Sequence, residues 1–221
     1  MEITISSELK AKVPDFKIGV IYYNSIQVSD SPQMVKGRLR LFQEKLYFDL
    51  LEKQLTDFSG IKEWRAIFKK VGTDPSRYRP SAEALYRRIK KQQYLDTIHS
   101  AADLNNFFSL QYEIPLGIYD LDKLQGDISV TIGTEEDGYL GINERKINMD
   151  KKILTKDASG PFGSPYVDSK RSAVTLNTKN AIQFIYLTPH MDLEQGRKLV
   201  KSLQDMFVSI HGGTAEYSVI G

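Results

Sequence analysis

The hexapeptide Pro115-Leu116-Gly117-Ile118-Tyr119-Asp120 marks the point at which the chain changes from helical to β-prone sequence. Before it, apolar residues recur at helical spacing, which predicts helices over 32–55, 60–71, 81–92 and 103–109. Ser31 is the expected cap of the first of these helices, and the second is expected to bury Trp64 and to end at Gly72. After the hexapeptide, runs rich in Val, Ile and Tyr alternate with turn residues. They predict strands over 117–120, 126–132, 139–142, 173–176, 181–187 and 214–220, with one more helix over 192–210. This partial segregation favours an α+β fold over a doubly wound sheet.

Length and composition bound the class of protein. The 221 residues suffice for one large domain, and we predict a single domain over 1–221 whose first-half helices pack on a mixed, sandwich-like sheet. Apolar residues are 41% and charged residues 26%, as in ordinary globular proteins. With 30 bases against 28 acids the net charge is +2, which by itself demands no nucleic-acid partner.

Several functional classes are excluded or disfavoured. The absence of cysteine excludes disulfides, thiolate catalysis and cysteine-ligated zinc. His99, His190 and His211 are far apart in the sequence, so we expect surface or capping roles, no metal and no cofactor. The N-terminus has no signal-peptide pattern, and no apolar run approaches the ~20 residues of a membrane span. We therefore expect a cytoplasmic protein without a membrane partner.

A basic stretch with interleaved tyrosines follows the second predicted helix. It contains Arg77, Arg79, Arg87, Lys90 and Lys91. Guanidinium groups suit phosphate oxygens, and tyrosine rings stack on unpaired bases, so these five residues are candidates for RNA contact. The alternative is an ordinary charged helix surface, since Glu83 and Arg87 form an i,i+4 pair.

Four islands of sequence, taken in order, resemble a known family. They are Trp64–Pro75, Arg79–Leu85, Pro115–Asp120 and the run from Gly160 through Pro165 to Arg171. Their order and spacing resemble the B3/B4 domain, the tRNA-binding and editing module of the β chain of phenylalanyl-tRNA synthetase, and especially its free-standing bacterial relatives. The resemblance covers residues 60–190. It implies an α+β domain with a ligand pocket between 106–120 and 160–171.

The resemblance also implies which residues line that pocket. An asparagine at the position of Asn106 lines the editing pocket of the synthetase module, and a Gly-rich loop lies against the aminoacyl group. We call Gly160–Pro165 the Gly-rich segment. The candidate substrate-binding residues are Asn106, Gly117, Tyr119, Gly160, Gly163, Ser164, Asp168, Ser169, Arg171 and Gln183. Asp168 and Arg171 either pair with each other or form an anion site, and for Arg171 a structural ion pair is the alternative.

Two departures from the family pattern bear on catalysis. Gly117 stands where the bacterial synthetase has histidine, which opens space toward a ligand and removes an imidazole. We expect added bulk at Gly117 to block the pocket and leave the fold nearly intact. The glutamate that the module carries on the following strand is also absent. Gln183 lies near its place and cannot act as a carboxylate base.

Two functions of different classes remain open. In the first, the chain is a stand-alone relative of the editing domain that binds tRNA or its aminoacylated 3′ end, or an amino-acid-like molecule, and hydrolyses mischarged aminoacyl-tRNA in trans. In the second, it is a non-catalytic module that binds RNA or a small molecule in the same pocket. No catalytic residue is identified, and no motif indicates a reader of DNA sequence.

Overall fold

The computed structural model describes all 221 residues and contains six α-helices and ten strands. The helices are α1 Ser7–Lys12, α2 Gln33–Glu52, α3 Ser59–Val71, α4 Ser81–Lys90, α5 Ser100–Tyr112 and α6 Leu193–His211. The strands are β1 Ile3–Ile5, β2 Ile18–Asn24, β3 Leu116–Asp120, β4 Ile128–Ile132, β5 Gly138–Leu140, β6 Lys146–Asn148, β7 Ile153–Asp157, β8 Gly160–Gly163, β9 Ala181–Tyr186 and β10 Thr214–Ile220. The fold is α+β, as the sequence predicts.

Two four-stranded sheets pack face to face. The central sheet has the order β10-β2-β9-β3, and the second sheet has the order β1-β4-β7-β8, while β5 and β6 form a separate hairpin. The Tyr186 hydroxyl of β9 lies 2.7 Å from the Thr155 hydroxyl of β7. The ring of Phe162 on β8 packs edge-on against Tyr119 on β3. These contacts identify the face of the central sheet that meets the second sheet.

The opposite face of the central sheet is covered by helices. A Cβ on Gly19 of β2 would lie 2.3 Å from Val200 of α6, and Tyr23 stacks on Phe207 at 4.0 Å between ring centroids. Successive side chains of a strand point to opposite faces. Neighbouring residues on β3 or β9 therefore have different surroundings, either the second sheet or the helices.

The first-half helices follow their predicted apolar stripes. Trp64 of α3 is fully buried, and its indole N–H donates to the Tyr186 carbonyl at 3.2 Å, which confirms its predicted core position. Helix α3 ends at Gly72, whose φ of +101° is the left-handed cap conformation that glycine adopts without strain. No helix is both long and apolar enough to cross a membrane.

Tertiary contacts overrule local sequence signals at several places. Residues 173–176 form no strand, and only one bridge, between Ala173 and Tyr119, remains of that prediction. The Gly-rich segment, predicted to be a loop, begins as strand β8, because Gly160–Gly163 pairs with β7. Strands β6 and β7 were not predicted.

Two predicted side-chain roles at helix ends are also wrong. Ser31 does not cap α2, which begins after Pro32; its hydroxyl instead donates to the Asp103 carboxylate of α5 at 2.5 Å. His211 is buried rather than at the surface, with Nε2 2.8 Å from the Ser100 hydroxyl. His99, in contrast, caps α5 as expected.

Candidate functional site

A tyrosine–aspartate hydrogen bond joins the two islands that sequence analysis places around the pocket. The Tyr119 hydroxyl donates to Asp168 Oδ1 at 2.6 Å. Strand β3 carries Tyr119 on the face toward the second sheet, and Asp168 lies in the short loop that follows β8. Burial raises the pKa of Tyr119 well above its ordinary value, so the hydroxyl stays protonated and keeps donating.

Two predicted site glycines form the walls around that hydroxyl. A Cβ added to Gly117 would lie 2.0 Å from the Tyr119 hydroxyl oxygen, and one added to Gly163 would lie 2.2 Å from it. Both distances are far shorter than any van der Waals contact. The space beside Gly117 is thus filled by Tyr119, because residues two apart on a strand share a face. The open space expected beside Gly117 is therefore absent, and added bulk there must displace the Tyr119 ring.

Ser164 organises the loop that delivers Asp168. Its hydroxyl accepts from the backbone N–H of Tyr166 at 3.1 Å and of Val167 at 3.0 Å, a turn that serine side chains commonly stabilise. The Tyr139 hydroxyl lies 3.0 Å from Ser164 Oγ and donates to the Val167 carbonyl at 2.5 Å. We call Tyr119, Tyr139, Ser164 and Asp168 the tyrosine–aspartate cluster.

The Asp168 carboxyl has unusual protonation chemistry. Burial raises its pKa to about 7, although the hydrogen bonds from Tyr119 and from the Ser164 N–H, the latter at 3.4 Å, act in the opposite direction. Its second oxygen, Oδ2, has no hydrogen-bond partner in the protein and is not among the buried atoms that lack one. Oδ2 therefore keeps a small solvent-accessible surface, although the residue as a whole is largely buried. A carboxyl of this kind exchanges protons near neutral pH, as a general acid or base must.

Arg171 belongs to a structural ion pair at the other end of β8. Its guanidinium donates to Asp157 at 2.6 Å and to the Gly160 carbonyl at 2.8 Å, so it does not pair with Asp168. Burial opposes ionisation of Asp157, but the hydrogen bonds from Arg171 and two backbone N–H groups outweigh it and lower the pKa. Ser169 is buried, and its hydroxyl accepts from the Arg171 N–H. A ligand-binding role for these residues stays a prediction.

Gln183 lies on the other side of the central sheet. It is fully buried, accepts from the Tyr23 hydroxyl at 2.8 Å and donates to Asn105 Oδ1 at 2.8 Å. It is opposite Ile118 in the register, whereas Tyr119 is opposite Ile182. The sheet thus separates Gln183 from the tyrosine–aspartate cluster. Asn106 is half-buried and makes no side-chain hydrogen bond. The residue that contacts Gln183 is its neighbour, Asn105.

The predicted RNA-binding residues divide into two groups. Near the cluster, the Tyr78 ring packs edge-on against Tyr166 at 5.7 Å, with the Arg77 guanidinium 5.3 Å from the Tyr78 centroid. Arg79 Nε is buried without a hydrogen-bond partner. The Ser81 N–H at the start of α4 donates to the Pro165 carbonyl at 2.8 Å. Helix α4 therefore begins directly at the Gly-rich segment.

The second group lies at the far end of α4, roughly 15 Å away at 1.5 Å per residue. Lys90 and Lys91 are exposed and form no ion pair. Arg87 is held by the buried Glu83 at 2.8 Å, which confirms the predicted i,i+4 pair, and Glu83 also receives Arg65 of α3 at 2.8 Å. Arg87 is thus less available to phosphate than the two lysines.

Two surface depressions lie away from all of these residues. One, of about 470 Å³, is formed by α6 and Tyr217, and the other, of about 430 Å³, lies between α2 and residues 94–97. Neither is lined by a predicted site residue. The candidate site is accordingly defined by the cluster's hydrogen bonds and by the unpartnered Oδ2 of Asp168.

Sequence reasoning missed two members of these networks, Tyr139 and Asn105. Tyr139 stands alone in a hairpin, and no motif around it indicates a contact with Ser164, 25 residues later. Asn105 stands directly before Asn106 in the sequence. The rotation of α5 decides which of the two amides faces β9, and it is Asn105 that does so.

Comparison with known proteins identifies the family of this chain and several relatives. Residues 63–202 match the model of the B3/4 domain. The uncharacterized protein YhzB of Bacillus subtilis is 33% identical over 214 residues, which are 97% of each chain. The phenylalanine–tRNA ligase beta subunit of Fusobacterium nucleatum is 22% identical over 108 residues, 48% of this chain and 14% of that subunit.

Among solved structures, one similar example comes from an archaeal synthetase. It is an N-terminal fragment of the phenylalanyl-tRNA synthetase beta subunit of Pyrococcus horikoshii, with a TM-score of 0.48 and 13% identity. The similarity covers 97% of this chain and 50% of that fragment, so this chain spans about half of it. The family match and the near full-length relative together establish that the chain belongs to the B3/4 domain family.

Proposed function

We propose that this chain is a cytoplasmic, single-domain relative of the synthetase editing module, binds the aminoacylated 3′ end of tRNA, and hydrolyses the ester in trans. The observation that carries the proposal is Asp168, a carboxyl with a pKa of about 7, one oxygen of which is held by Tyr119 while the other has no hydrogen-bond partner in the protein. Family membership supports the tRNA-related part, because the beta subunits that resemble this chain belong to tRNA ligases.

In this proposal the cluster supplies the general base, which is Asp168. In its ionised form Asp168 Oδ2 takes a proton from water while the water oxygen bonds to the ester carbonyl carbon. The bond from that carbon to the ribose oxygen then breaks, and the ribose oxygen receives the proton from Asp168. Tyr119 fixes the carboxyl by its 2.6 Å bond, and Ser164 fixes the loop that carries it.

Asp168→Asn is expected to slow deacylation by about 100-fold, because a positioned general base contributes roughly 10²–10⁴ in rate. The parent's rate should rise with pH through an apparent pKa of about 7 and then level off, since only the ionised carboxyl accepts a proton. The measurement is release of amino acid from a panel of mischarged tRNAs across pH.

The control for this change is Asp15→Asn, at an exposed position outside the cluster, which should keep the parental rate and pH profile. Circular dichroism and thermal melting of each variant establish that the fold persists. An Asp168→Asn variant that deacylates as fast as the parent, with the same pH profile, would refute the assignment of Asp168 as the base.

Removal of Arg77 and Arg79 should weaken tRNA binding and flatten its salt dependence, because each lost phosphate contact reduces the slope of log affinity against log salt by about 1. These two residues adjoin Tyr78 and Tyr166 beside the cluster. The measurement is the affinity for plain tRNA at several salt concentrations for the Arg77→Ala/Arg79→Ala variant.

Two further double variants test which surface contacts the phosphate backbone of the tRNA. Lys90→Ala/Lys91→Ala tests the far end of α4, and Lys198→Ala/Lys201→Ala removes equal charge from α6, where both lysines already have acidic partners. We expect the first to weaken binding and the second to leave it unchanged. Parental affinity and slope in both the arginine and the Lys90/Lys91 variants would remove this surface from the proposal.

A non-catalytic binding module is the second candidate, and one observation favours it. Gln183, which is near the place of the family's glutamate, is buried on the helix side of the sheet. In that case a non-hydrolysable aminoacyl-adenosine analogue should bind, with no member of the tRNA panel deacylated. Calorimetric titration with the analogue beside the deacylation assay separates the two functions.

A further inference from the structure

Helix α2 exposes a row of large apolar side chains on the face that points away from the protein. Met34, Leu41, Phe48 and Leu51 are 45%, 68%, 66% and 64% exposed. The opposite face buries Val35, Leu39, Leu46 and Leu50. Single exposed apolar residues are common, but four in one row on one helix form a patch of the kind that marks an interaction surface.

The spacing of the row is that of a helix–helix seam. Met34, Leu41 and Phe48 are seven residues apart, and Gly37, Glu44 and Leu51 follow each of them by three. This is the a and d spacing of a two-stranded coiled coil, in which residues return to one face every two turns. The helix has 20 residues and a length of about 30 Å, enough for such a seam.

The charges of α2 are arranged against the helix's own dipole. Its first half, 33–42, carries three bases and no acid: Lys36, Arg38 and Arg40. Its second half, 43–52, carries three acids and one base: Glu44, Asp49, Glu52 and Lys45. Acids are favourable near a helix N-terminus and bases near its C-terminus, so this distribution is unfavourable for an isolated helix. Helix α6 has the ordinary arrangement, with Glu194 in its first turn and His211 in its last.

Gly37 is a second feature of this face that is unfavourable for the isolated helix, because glycine has a low helix propensity. It is exposed inside α2, and a Cβ there would meet no atom within 4 Å. Alanine would therefore fit and would favour the helix, since glycine loses more backbone freedom on folding. Nothing within the monomer requires a glycine here. A glycine on an exposed helix face makes room for the side chain of an approaching partner.

We propose that α2 is a self-association surface, on which the α2 helix of a second copy of this chain lies antiparallel. Antiparallel alignment sets the basic half of each helix against the acidic half of the other, and it opposes their dipoles. The alignment that sets Met34 opposite Leu51 of the second copy also sets Gly37 opposite Phe48 of that copy. One twofold arrangement thus pairs Met34 with Leu51 and Phe48 with Gly37. It sets Leu41 beside Glu44 of the second copy, against the aliphatic part of that side chain.

The test is sedimentation velocity of the full chain from about 1 to 200 µM, the range in which a small interface dissociates. The parent is expected to shift from monomer to dimer over this range. Leu41→Glu should stay monomeric throughout, and Leu176→Glu, at an exposed leucine outside α2, should dimerise like the parent. A parent that is monomeric at every concentration, or a Leu41→Glu variant that dimerises like it, overturns the proposal.

Gly37→Gln tests the alignment, because it should have opposite effects on the stability of the monomer and on dimerisation. It should raise the melting temperature of the monomer, because glutamine is the better helix former, and should weaken dimerisation at least tenfold, because its side chain occupies the place of Phe48. Unchanged dimerisation in this variant contradicts the alignment. Binding of tRNA that is lost in Arg38→Glu, in a parent that never dimerises, would assign the face to RNA and overturn the proposal.

Discussion

Glu83→Ala is expected to lower the free energy of unfolding by about 3 kcal/mol. Glu83 is fully buried and accepts from Arg65 of α3 and from Arg87 of its own helix, both at 2.8 Å. Removing a buried carboxylate that neutralises a cation typically costs about 3–5 kcal/mol. The lower end applies because the two guanidiniums are 22% and 42% exposed and recover some hydration.

The comparison is with Glu194→Ala, which removes another i,i+4 partner. The Glu194–Lys198 pair is 78% and 76% exposed, so its loss should change the free energy of unfolding by less than about 0.5 kcal/mol. Urea denaturation followed by circular dichroism measures both variants. Equal, small effects at the two positions would show that the buried network does not stabilise the packing of α3 on α4.

Gly117→Ala should destabilise the fold by about 3 kcal/mol, near the upper end of the usual cost of overpacking a core. The new methyl group would lie 2.0 Å from the Tyr119 hydroxyl and 2.6 Å from its Cζ. Tyr119 cannot turn aside, because its hydroxyl is bonded to Asp168 and Gly163 closes the other side. Denaturant unfolding of the variant gives the change directly.

A double substitution separates this clash from a general intolerance of alanine in β3. In the Tyr119→Leu background the ring is absent, so Gly117→Ala should cost much less there than in the parent. Gly37→Ala is the clash-free reference, since its Cβ meets no atom, and it should stabilise by up to about 1 kcal/mol. A Gly117→Ala variant as stable as the parent would contradict the packing of Tyr119 between the two glycines.

The order of helices and strands was largely predictable, because it follows from local patterns. Apolar residues every three or four positions gave α3 with its cap at Gly72, and alternation of β-prone residues gave β10. The failures have tertiary causes. Gly160–Gly163 reads as a loop and becomes a strand only because Asp157, Lys156 and Thr155 of β7 lie beside it. No local pattern encodes a partner strand.

The sequence predicts which segments form the candidate site, but not how their side chains are arranged in it. Family resemblance brings 115–120 and 160–171 together, and the structure joins them through Tyr119 and Asp168. Which face of a strand a residue occupies depends on register, so Gln183 and Tyr119 fall on opposite sides of the central sheet. The raised pKa of Asp168 also could not be read from the sequence, since it comes from burial.

The hydrogen bond from the Ser81 N–H to the Pro165 carbonyl has a consequence for motion. The first amides of a helix have no acceptor within it and usually exchange quickly with solvent hydrogen. Here the acceptor is 84 positions away in the Gly-rich segment, next to Ser164. Exchange at Ser81 therefore depends on how often that segment moves away from α4. Hydrogen exchange at this single amide would therefore measure any opening of the loop that carries Asp168.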